Sequence, residues 1–139
     1  MKTKKSLLLA LALLGSCAAT LHAKSLKVRI VNLRSDRGAV LYVAMKGDIT
    51  KGVKSDARPL CGRAVPERGA VEFSFDAIEA DSIAVSIFHD ENGNFRLDRE
   101  EGRPAEGCLH LTIALPDAEN TAELELRYDF GRTDNEKTK

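Results

Sequence analysis

Tryptophan is absent from this 139-residue chain, only two tyrosines and five phenylalanines occur, and aromatics make up 5% of it. That scarcity argues against a platform of rings on which single-stranded nucleic acid or sugars would stack. Nor is there an excess of one charge, because 21 lysines and arginines face 21 aspartates and glutamates. The basic residues are scattered, so no electrostatic track follows a phosphate backbone and nucleic acid is not an expected partner. The only long continuous apolar run, Leu7 to Leu14, is less than half the ~20 residues that a membrane-spanning helix needs. GxSxG and HExxH spacings are also missing, and with them the usual nucleophile and metalloprotease signatures.

What is present begins with a leader. Lys2, Lys4 and Lys5 precede the apolar run, and small residues lead to Leu21-His22-Ala23, the three-part order of a signal peptide with cleavage after Ala23. The expected organisation is a signal peptide over 1–23, one domain over 24–130, and a polar tail over 131–139 that is too poor in apolar residues to repay ordering. The chain is therefore expected to be exported, either periplasmic or secreted. A competing reading takes Leu14-Gly15-Ser16-Cys17 as a lipobox, which would anchor the protein to a membrane through Cys17. Loss of the three leader lysines turns the neutral whole into a slightly acidic protein. Of the three cysteines, Cys61 and Cys108 survive simple cleavage. An oxidising compartment lets them pair or leaves them as two small free residues.

Period-two alternation dominates the rest. Leu26, Val28 and Ile30 mark a strand over about 25–34. Turn residues Ser35 to Gly38 follow, and then Leu41, Val43 and Met45 share one face of a second strand, suggesting a hairpin. Residues 46–59 are polar, with room for one helical turn. A short strand over 60–65 and a turn at Pro66 to Gly69 precede Val71, Phe73 and Phe75. Ile83, Val85 and Ile87 form another alternation, as do Leu109 to Leu115 and Ala122 to Tyr128. Six or seven short strands without a sustained helical period predict an all-β fold, an antiparallel β-sandwich of immunoglobulin-like or prealbumin-like type.

The segment from His89 to Gly107 is where chemistry gathers. Asp90, Glu91, Asp98, Glu100, Glu101 and Glu106 crowd six carboxylates into it, with Asn92 and Asn94 between them. Crowded carboxylates repel one another, and a hard divalent cation relieves that repulsion. With Asp90 as position one, oxygen donors fall at one, three (Asn92), five (Asn94), nine (Asp98) and twelve (Glu101), and Arg96 at seven offers its carbonyl. This is EF-hand loop spacing without the flanking helices, and it predicts calcium binding with a dissociation constant of about 10⁻⁴ to 10⁻³ M. Position six holds Phe95 where glycine is usual, at a cost of about 1–2 kcal/mol if the turn is left-handed. The alternative is a solvated acidic loop closed by Asx-turns alone.

His-Asp-Glu-Asn-Gly-Asn at 89–94, then Leu97-Asp98, then Gly102-Arg103-Pro104-Ala105-Glu106-Gly107, resembles the signature of an exported bacterial family, domain of unknown function 2141. That family reads His-Asp-x-Asn-x-Asn-Gly-x-x-Asp and continues Gly-x-Pro-x-Glu-Gly, so Phe95 stands at its glycine. The resemblance implies a secreted or periplasmic β-sandwich and brings over no catalytic residues. Within the motif, His89, Gly102, Pro104 and Glu106 are expected to brace the loop.

An enzymatic reading recruits His89, Asp90 and Glu106 as acid, base and orienting group. Adjacent strand residues point to opposite faces, which keeps His89 and Asp90 from forming a dyad, and no enzyme is expected. A zinc site of His89, Cys108 and His110 lacks paired ligand spacing. The remaining reading is an adhesin-like module that uses the same loop, without metal, to contact a protein or glycan. Because Tyr42 and Tyr128 fall within strand patterns, Phe95 is the exposed aromatic it would offer, and a protein suits that better than a glycan.

Overall fold

The computed structural model describes residues 22–47 and 58–130. The leader through residue 21 with Cys17, most of the connection in which a helical turn was considered, and the tail 131–139 lie outside the described residues. The described residues are all-β and contain no helix. Seven principal strands run Lys24–Val31 (β1), Ala39–Lys46 (β2), Leu60–Ala64 (β3), Val71–Ile78 (β4), Ser82–Asp90 (β5), Cys108–Ala114 (β8) and Glu119–Glu125 (β9). Two short ones, Arg99–Glu100 (β6) and Arg103–Pro104 (β7), form a small hairpin inside the loop.

One sheet is ordered β4-β1-β9 and the other β3-β2-β5-β8. They share a single core: Leu26, Val28 and Ile30 of β1 and Val71, Phe73 and Phe75 of β4 are buried with Val40 and Ala44 of β2 and Ile83, Val85 and Ile87 of β5. Tyr42 of the second sheet stacks on Phe73 of the first, with ring centroids 3.8 Å apart. Apolar faces meeting in this way are the packing expected of a β-sandwich.

Two expectations change, and one open alternative is decided. Strands β1 and β2 do not form a hairpin, because β1 pairs with β4 and β9 while β2 pairs with β3 and β5, so the Ser35 to Gly38 turn carries the chain from one sheet to the other. Pairing is not wholly antiparallel, since β1 and β9 run parallel through seven residue pairs, from Ser25 opposite Glu119 to Val31 opposite Glu125. Cys61 and Cys108 are both free. They lie on β3 and β8, the two edges of the four-stranded sheet, three strand spacings or about 14 Å apart, well beyond disulfide reach. In β2, Leu41, Val43 and Met45 do share a face, but it is the outer one, and Val40, Tyr42 and Ala44 point into the core.

Candidate functional site

The strand β5 delivers the site. Its core-facing alternation Ile83, Val85, Ile87 continues to His89, which is fully buried, and the next residue, Asp90, is only 2% exposed. The His89 ring holds two distant parts of the chain. Its Nε2 stands 2.7 Å from the carbonyl oxygen of Arg37, and since a carbonyl only accepts, Nε2 carries the proton and donates. In the neutral ring Nδ1 then accepts the Tyr128 hydroxyl, 2.9 Å away. Burial pushes the Tyr128 phenol above its ordinary value.

Asp90 organises the turn. One carboxylate oxygen accepts the backbone N–H groups of Gly93 at 3.0 Å and Asn94 at 3.1 Å, and the other accepts that of Phe95 at 2.9 Å. Asn92 Oδ1 accepts the N–H of Asn94, and Asn94 Oδ1 accepts that of Arg96, two successive Asx-turns. Their amide nitrogens both donate to Asp98, Asn92 at 2.5 Å and Asn94 at 2.8 and 3.0 Å to the two oxygens. Side chains at positions three, five and nine of the loop are thus drawn together, while that of position one holds the backbone of positions four to six. Phe95 has φ of +59°, the left-handed conformation that position six requires, and the residue is 67% exposed.

Glu101 is a correction. Arg99–Glu100 pairs with Arg103–Pro104, and the two residues between them, Glu101 at φ +50° and Gly102 at φ +79°, are both left-handed as a type I′ turn demands. This turn puts Glu101 at an exposed hairpin tip rather than beside Asp98. Among the described residues no three His, Cys, Asp or Glu side chains gather as a metal-holding group. His110 instead bonds through Nδ1 to Ser86 Oγ on the outer face of the sheet.

Glu106 occupies the space behind the loop. It is 5% exposed, and its two oxygens accept the N–H groups of Glu91 at 3.0 Å and Asp98 at 3.2 Å, tying the start of the loop to its middle. Pro104 closes the β6–β7 pair, and Ala105 N–H donates to the Asp98 carbonyl at 2.8 Å. At Gly107 even one methyl group would overlap the Tyr128 ring, so the motif's last glycine is there to let that ring pack against the backbone.

Sequence reasoning missed Arg34, Ser35 and Tyr128. Arg34 binds Glu91 through Nε and Nη2, reaches the Ala105 carbonyl at 3.2 Å, and lies 4.7 Å over the Tyr128 ring. Ser35 Oγ donates to the other oxygen of Glu91 at 2.6 Å. The Arg34 guanidinium, helped by the Ser35 hydroxyl, holds the Glu91 carboxyl down to about 2. Nothing local in the sequence signals contacts across 57 residues. For Tyr128 there was a signal, because it continues the core-facing series Ala122, Leu124, Leu126, where a phenol must find a partner for its hydroxyl.

The family model of uncharacterized proteins conserved in bacteria, domain of unknown function 2141, matches residues 28–108, more than half of the chain. The chain belongs to that family. Within domain of unknown function 2141 the matched span runs from the middle of β1 to the first residue of β8, so it contains the whole loop but not β9 or Tyr128. No curated protein and no solved structure matches the chain.

Proposed function

We propose that the protein is an exported, non-enzymatic module whose loop from Asp90 to Asp98 takes up a calcium ion weakly. The observation that carries this reading is the convergence of Asn92 and Asn94 on Asp98 while Asp90 gathers the amides of positions four, five and six and Phe95 adopts the left-handed turn. Asp90, Asn92, Asn94 and Asp98 with the Arg96 carbonyl supply hard oxygen donors, and water would complete the shell in place of Glu101. The ion would compete with the amide protons that Asp98 now accepts, and this competition keeps the affinity low. Calcium titration followed by melting temperature tests it. A rise of several degrees by about 10 mM calcium, lost in Asp98→Ala, is expected, and no shift in the unmodified protein overturns the reading.

A second reading has its own support. Asp90 and Glu106 together accept five backbone N–H groups, enough to hold the loop by hydrogen bonds alone, so the loop would serve as a rigid mount for a protein contact through Phe95.

A further inference from the structure

Asn92 is followed by Gly93, and no other asparagine of the chain has glycine after it. An asparagine side chain is thermolabile because the backbone nitrogen of the next residue can close a five-membered ring on its amide carbon. Glycine, lacking a Cβ, hinders that closure least. Both residues are exposed, and a Cβ at Gly93 would meet nothing within 4 Å, so the neighbours leave the peptide between them open to water. What restrains it is hydrogen bonding. The attacking nitrogen is occupied, since Gly93 N–H donates to Asp90 Oδ1 at 3.0 Å. The carbon to be attacked is held too, because Asn92 Oδ1 accepts the N–H of Asn94 at 3.1 Å while its Nδ2 donates to Asp98 at 2.5 Å. The two carboxylate acceptors make these contacts strong ones, and that of Asp90 keeps the proton on the nitrogen that would have to lose it.

We infer that Asn92 is a site of spontaneous deamidation that the closed loop holds back and an opened loop releases. In the reaction the Gly93 nitrogen gives up its proton and bonds to Asn92 Cγ, the side-chain nitrogen leaves with that proton as ammonia, and a succinimide ring remains. One water then opens the ring at either carbonyl and leaves aspartate or isoaspartate. The donor that bound Asp98 is gone, and a carboxylate stands in its place, so two like charges face each other across the turn. In the isoaspartate form an extra methylene also lengthens the backbone between positions three and four, out of register with the amides that Asp90 gathers. Each conversion therefore loosens the loop that restrained it, and a transient local opening becomes a permanent, negatively charged mark. The inference stands apart from the calcium reading, because every contact it uses belongs to the metal-free loop.

The chain expressed from Met1, kept warm at neutral pH in chelator, both native and unfolded in urea, tests the inference. Peptide mapping by mass spectrometry follows the gain of about one dalton at Asn92 and at Asn94, which is equally exposed but followed by Phe95. Conversion at Asn92 in urea, slowed by about tenfold or more in the native protein, is expected, with Asn94 lagging behind in both. Asp98→Ala, which frees the Asn92 amide, is expected to speed the native reaction by about fivefold or more. Equal rates in the native and unfolded chain, no conversion at Asn92 in urea, or a native Asp98→Ala rate no higher than that of the unmodified protein overturns the inference. The comparison of native with unfolded protein needs no variant, so it decides even where Asp98→Ala does not fold.

Discussion

The hydroxyl of Tyr128 and Nδ1 of His89, 39 positions apart in the chain, meet at 2.9 Å and fasten the segment just after the last strand to the root of the loop. Tyr128→Phe leaves a buried imidazole nitrogen without its donor, which costs about 1–3 kcal/mol. Chemical denaturation should register that loss. His89→Ala should cost more, because it also orphans the Arg37 carbonyl and opens a cavity.

Glu106 makes a sharper case because its role depends on two acceptors. In Glu106→Gln one carboxylate oxygen becomes an amide that cannot accept the N–H of Glu91 or of Asp98. A destabilisation of about 1–3 kcal/mol is expected, together with faster amide exchange at whichever of the two residues loses its acceptor. Unchanged exchange at both would show that the loop is held elsewhere.

The Glu91–Arg34 pair makes stability depend on acid. The folded-state carboxyl sits at about 2, down from an ordinary 4.5. Its contribution is therefore complete above pH 4.5 and is lost as the pH falls toward 2. Arg34 is partly exposed, so screening limits the pair to about 1 kcal/mol. Arg34→Met should be the less stable protein at neutral pH, and the two denaturation curves should converge near the acid end of that window.

Phe95→Gly removes the left-handed strain, and a gain of about 1 kcal/mol, roughly 4 °C in melting temperature, is expected. Calcium affinity should rise with it if the loop takes the ion, since the turn at position six then costs nothing.

Cys61 and Cys108 should remain thiols in protein purified under air. Cys61 is exposed and should be alkylated quickly, whereas burial raises the Cys108 thiol above its ordinary value and slows its reaction. Mass spectrometry after native labelling separates the two, and an intramolecular bridge between them would contradict the strand order.

The strands themselves could be read because alternation is a local signal: Leu26, Val28 and Ile30, or Ile83, Val85 and Ile87, are all buried in one core as their spacing predicts. Partnership could not be read, because Ser35 to Gly38 looks like any tight turn whether it joins two paired strands or changes sheets. The same limit explains Glu101. Counting from Asp90 assumes an uninterrupted loop, whereas Glu101-Gly102 is itself a hairpin turn that starts a new direction. Within the motif, the turns that join Asn92, Asn94 and Asp98 are local, and residues this close in sequence meet without help from the rest of the chain. Arg34 and Tyr128 meet the loop from far away in the chain and could not be read.

The parallel pairing of β1 with β9 has a mechanical consequence. The chain enters β1 at one end of this ribbon and leaves β9 at the other, with seven residue pairs between. Tension applied between the two termini loads all of those rungs together, in shear, instead of peeling them off one by one. A domain pulled in that direction should rupture abruptly and at high force.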